Sequence, residues 1–120
     1  TSGGRSVLSH LPDDQVMDIL QRSDRRKLTP RTIVDIPEIL ERVAEVRATG
    51  YSLAIEQVMM GEVAVAAAVL DRNGAPIGAI HVSGSLAEWA PDRLDDGEMA
   101  VLRRTIDRYL AYLRRQAQET

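Results

Sequence analysis

The chain has 120 residues, a length that suits one domain, and no cysteine, which excludes disulfides, thiolate nucleophiles and cysteine-based zinc sites. Hydrophobic residues make up 44% and aromatics only 3%, with no Phe, so the core must be built from Ala, Val, Ile, Leu and Met. The net charge of -3 leaves no basic field for phosphate contacts, and no apolar run approaches the roughly 20 residues of a membrane span.

In chain order, a short helix is expected after Gly3-Gly4, running through Arg5, Val7 and Leu8. Pro12 in a first helical turn, followed by Asp13 and Asp14, marks a second helix start, with Val16, Ile19 and Leu20 on its apolar face. Ser23 to Pro30 is polar and basic and reads as a solvated linker. Asp35-Ile36-Pro37-Glu38 has the form of a capping box, and Ile36, Ile39, Leu40, Val43 and Val46 follow at helical spacing up to Gly50, a good residue just past a helix end.

The period then changes. Tyr51, Leu53 and Ile55 alternate with small or polar residues, as in a half-buried strand, and Glu62 to Leu70 reads as a buried strand. Asn73-Gly74 suggests a tight hairpin returning through Ala75 to Val82, closed by Ser83-Gly84-Ser85. Met59-Met60 suits core filling or a pocket lid. Leu86 to Gly97 reads as a loop, or a loop with a short helical turn, holding Trp89. Met99, Leu102, Ile106, Leu110 and Leu113 form the stripe of a final amphipathic helix, with Arg103, Arg104, Arg108, Arg114 and Arg115 mostly on its solvated face. The order α, α, α, β, β, β, α predicts an α+β domain with an antiparallel sheet packed against helices.

Four stretches carry a resemblance. Ser2-Gly3-Gly4-Arg5-Ser6-Val7-Leu8, Leu11-Pro12 followed by acids, Ile39 to Glu56, and Gly61 to Ser85 together resemble the effector-binding domain of IclR-type bacterial transcriptional regulators. The resemblance is specific through order and spacing and spans most of the chain, so that residues 1–120 read as one partial effector-binding domain, its first strands and the winged helix-turn-helix domain being expected before it. It implies a GAF-like fold that binds a small metabolite, a small carboxylate or aromatic acid, and that self-associates as a dimer or tetramer. Trp89 and the final helix offer surface for that association. DNA would be reached only through the winged helix, so the chain alone is expected not to read DNA. A cytoplasmic location without membrane contact is implied, and no cofactor is.

The resemblance also implies a ligand site between the sheet and the helix near Gly3. A helix start offers free N–H groups to a carboxylate, and Gly3 and Gly4 allow close approach; on the residues alone they equally mark a turn. His81 and Ser83 lie two apart on one strand face and fit the convergent polar groups of a pocket, or else a satisfied core histidine and a strand-end serine. Ser83 is expected to donate a hydrogen bond to the ligand. Ala54, Glu62 and Ala64 fall on family pocket positions, Ala54 in place of the usual Asp, and Glu62 either receives a ligand donor or faces solvent. Val7, Leu8, Ala64, Ala66 and Ala79 are the expected apolar walls. An association module without ligand binding is one alternative. A GAF-like enzyme has less support, since His10 and His81 are far apart and no catalytic motif is visible.

Overall fold

The computed structural model describes residues 1–88 and 96–118; the side chains of 96–103, 114, 117 and 118 lie outside that description. The elements run α1 (Ser2–Leu8), α2 (Asp13–Arg22), α3 (Ile36–Thr49), β1 (Ser52–Ile55), β2 (Glu62–Leu70), β3 (Pro76–Ser85) and α4 (Asp96–Gln118). The strands form one antiparallel sheet in the order β1-β2-β3. This is the expected α+β architecture.

The two faces of the sheet differ in side-chain size. Val65, Ala67, Val69, Ile80 and Val82 share one face, where Ile106 and Leu110 of α4 pack. The other face is made of small residues, with Ala66 between Ser52 and His81 and Ala64 between Ala54 and Ser83 in cross-strand register. Short side chains there let α1 approach the sheet closely. A second core joins the helices, with Leu8, Val16, Leu20, Ile39 and Val43 buried together.

Several expectations are corrected. Gly3 and Gly4 lie inside α1, which begins at Ser2 because Thr1 supplies the cap. Asp35 is the N-cap of α3 but makes no side-chain capping bond; Pro37 at the helix start supplies no N–H and instead presets the helical φ. The 23–30 segment is not wholly a solvated linker, since Thr29 is buried and its hydroxyl donates to Glu56 O (2.5 Å). On β1 it is Ser52 and Ala54 that are buried, whereas Leu53 is 40% exposed: α1 covers the small-residue face, and α4 packs on β2 and β3. The hairpin uses one left-handed residue, Gly74 (φ +80°), rather than two. Asp71 holds it instead, its O accepting from Gly74 N and its Oδ1 from Asn73 N and Ala75 N. Met59 and Met60 are exposed, so neither fills the core.

Of the final stripe, Ile106 is fully buried, Leu110 buried and Leu113 partly exposed; Trp89 and the Met99 and Leu102 side chains lie outside the described residues. Ile106→Ala is expected to lower unfolding free energy by about 2–5 kcal/mol, the range for truncating a fully buried aliphatic side chain, and urea denaturation measures it.

Candidate functional site

The start of α1 is fixed by local polar bonds. Thr1 Oγ1 accepts from Gly4 N (3.0 Å) and Thr1 O from Arg5 N (3.1 Å). The buried Ser52 hydroxyl donates to Ser2 O, which uses its only proton. Ser6, whose Oγ lies 2.9 Å from Ser52 Oγ, must then be the donor in that second bond. Gly3 sits where helix and strand touch: a Cβ there would stand 3.5 Å from the Ala79 Cβ, an ordinary contact.

Between this helix start and the sheet lies a cavity of about 270 Å3, lined by Thr1, Ser2, Gly3, Ala54, Gln57, Val58, Glu62, Ala64 and His81. The fold thus brings Gly3, Ala54, Glu62, Ala64 and His81 to one cavity from α1 and all three strands. Ser83 shares their face and pairs with Ala64, but it is not in the lining. Gly4 borders a different cavity of about 390 Å3 between α1, α2 and the 23–34 segment. Leu8 is buried in the helical core, which removes it from the cavity wall, and Val7 is half-buried outside the lining. Ala66 and Ala79 lie on the same sheet face beside the lining residues.

Thr1, Ser2, Gln57 and Val58 are lining residues that the sequence pattern does not disclose. Gln57 and Val58 follow Glu56, whose φ of +55° turns the chain sharply. That conformation is rare for a residue with a side chain and persists only where its surroundings hold it. Here Glu56 N donates to Glu62 O (2.7 Å), Gly61 N donates to Glu56 Oε1 (3.1 Å), and Arg31 pairs with Glu56 Oε2 (3.0 Å). Thr32 Oγ1 adds a bond to Gln57 O (2.5 Å).

Arg5 then orients the Gln57 side chain. Its Nη2 donates to Gln57 Oε1 (2.9 Å) and to Leu53 O (3.2 Å). A guanidinium has only donors, so the Gln57 atom it meets is oxygen, and the Gln57 NH2 group is left to donate elsewhere. Burial holds the Arg5 guanidinium below its ordinary pKa; nearby Arg42 lowers it further and Glu45 opposes the shift.

No Lys or Arg lines the 270 Å3 cavity, and Glu62 is its one acidic residue. An anion there meets no Lys or Arg side chain, and a ligand donor has the Glu62 carboxylate to meet. Among the described residues, no three His, Cys, Asp or Glu side chains gather as a metal would require.

The sequence profile of the family described as "Bacterial transcriptional regulator IclR C-terminal" matches residues 1–118. The chain belongs to this IclR C-terminal domain family. Among curated relatives, the IclR-type domain is 34% identical over 100 residues to the HTH-type transcriptional repressor AllR of Klebsiella pneumoniae, and 29% to AllR of Escherichia coli K12. Each alignment covers 82% of this chain and 37% of the relative, so the chain spans little more than a third of their length. Among solved structures, a transcriptional regulator from Rhodococcus sp. RHA1 superposes with a TM-score of 0.83 at 28% identity, covering 98% of this chain and 48% of that one. The inducer-binding domain of PobR from Acinetobacter, a double mutant in complex with 3-hydroxybenzoic acid, gives 0.78 at 30% identity, covering 92% and 63%. The C-terminal domain of Escherichia coli KdgR shares the fold, at 0.85 and 23% identity over 98% and 68%. The family is one of transcriptional regulators rather than enzymes.

The serine bonds generate a stability prediction. Ser52→Ala strips Ser2 O of its donor and the Ser6 hydroxyl of its acceptor inside the α1–sheet contact. A loss of about 1–3 kcal/mol is expected, read as a lowered urea midpoint at unchanged slope.

Proposed function

We propose that this IclR-type domain senses a small metabolite held in the 270 Å3 cavity between α1 and the sheet. The observation that carries the reading is the convergence there of α1, all three strands and the 56–61 turn. The size lies just below the usual range for small-molecule pockets, about 300–1,000 Å3, and suits a compact ligand. The PobR domain with 3-hydroxybenzoic acid is a neighbour whose ligand is an aromatic acid.

The ligand is a small carboxylate or aromatic acid that also carries a hydrogen-bond donor. Its acid group meets the Gln57 NH2 group, the first amides of α1 at Ser2 and Gly3, and the His81 imidazole. Its donor meets the Glu62 carboxylate. Ser83, beside Ala64 on the same face, contacts a ligand that extends past His81. The domain acts in the cytoplasm as a dimer or tetramer, and its ligand state reaches DNA through a helix-turn-helix domain of the kind that gives the AllR relatives their name. No helix among the described residues is long and apolar enough to cross a membrane.

A thermal-shift screen of small acids identifies the ligand, because binding to the folded state alone raises its stability by mass action. Calorimetry with the best binder then tests the site. His81→Ala is expected to weaken binding roughly tenfold or more with the melting temperature unchanged, since His81 is exposed on its strand. Glu62→Gln should weaken donor-bearing acids and strengthen plain ones. Unchanged affinities in both variants would place the ligand elsewhere.

A further inference from the structure

Arg5 is 6% exposed, yet no carboxylate among the described residues lies within ion-pair distance of it. Its bonds end on neutral oxygens: Thr1 O, Leu53 O and Gln57 Oε1. Nη1 is used in none of them. Buried guanidinium groups are ordinarily paired, because a charge taken out of water without a partner is strongly destabilising.

Arg5 borders a cavity of about 370 Å3 between α3 and β1, which shares only Gln57 with the lining of the cavity at Gly3 and His81. Arg42 lines it too, close enough to disfavour the charged form of Arg5. Arg42 Nη1 holds both Glu45 oxygens (3.1 and 3.2 Å), so this pair is neutral as a unit and Arg5 supplies the net positive charge. The pair is partly solvated, with side chains 42% and 62% exposed, and an exposed pair of this kind is weak and readily rearranged. The backbone adds a donor. Leu53 turns its C=O to Arg5 at the outer edge of β1, and in an antiparallel strand the N–H of the same residue points to the same side. Leu53 also lines the cavity.

We propose that the cavity between α3 and the outer edge of β1 is a second ligand site, which takes a small oxyanion onto the Arg5 guanidinium. The anion supplies the missing counter-charge, Arg42 closes over it from α3, and Glu45 is its competitor. A carboxylate and a phosphate share the required chemistry.

The test titrates inorganic phosphate and, separately, acetate into the 120-residue chain at constant ionic strength set with chloride, following the melting temperature. At least one of them should raise it saturably, and which one does so names the source. Arg42→Gln should raise the midpoint concentration several-fold, Glu45→Gln should lower it, and His81→Ala should leave it in place. Arg42 and Glu45 lie outside the proposed metabolite cavity, so failure here leaves that reading standing, and the reverse holds too. A rise that is linear in salt and equal in every variant is the general exclusion effect of such anions and overturns the proposal. A midpoint that moves with His81→Ala and not with Arg42→Gln also overturns it, by placing the anion in the other cavity.

Discussion

The position of α1 depends on one buried hydroxyl. Ser52 reaches from β1 to Ser2 O and receives the Ser6 proton, so a helix of seven residues is tied to the sheet through two of its serines. Short side chains make that approach possible. Ala66 and Ala68 floor the sheet, and Gly3 lies against Ala79 at a distance where a Cβ would be in ordinary contact. The same small residues leave the cavity next to the contact unfilled, since Ala54 and Ala64 cannot reach across it.

Arg5 extends that anchoring outward. From the same helix it passes over the edge of β1, takes the outward-facing Leu53 carbonyl and fixes the Gln57 amide. The 56–61 turn is therefore held from two directions, by Arg5 on the side chain of Gln57 and by Thr29 and Thr32 on the carbonyls of Glu56 and Gln57. A strained left-handed Glu56 is tolerable under those bonds. The result is a wall whose donor group is preset before any ligand arrives, which lowers the ordering cost of binding.

The elements with strong periodicity were legible in the sequence. α3, β2, β3 and the stripe of α4 follow from apolar spacing, and Gly50 from the left-handed residue that a helix end requires. The convergence of Ala54, Glu62, Ala64 and His81 followed from resemblance, supported by strand alternation. What escaped was set by tertiary context. Leu53 looks like the inward residue of β1, but α1 covers the opposite face, which takes Ser52 and Ala54, while α4 packs on β2 and β3. Leu8 looks like a cavity wall, but the helical core needs it. Gln57 has no periodic signal, because its place is fixed by long-range bonds from Arg5 and Thr32.

The cavity's electrostatics narrow the chemistry it can serve. With Glu62 at one side and no Lys or Arg side chain in the lining, a bare anion meets repulsion from that carboxylate, whereas a ligand with an acceptor at one end and a donor at the other satisfies both. The most direct measurement is a crystal structure of the chain with its best-binding acid. The expected result places the ligand's acid group within hydrogen-bond distance, about 2.7–3.2 Å, of Gln57 Nε2 and a His81 ring nitrogen, with its donor on Glu62. A ligand bound beneath α2 and the 23–34 segment, with Glu62 and His81 untouched, would contradict it.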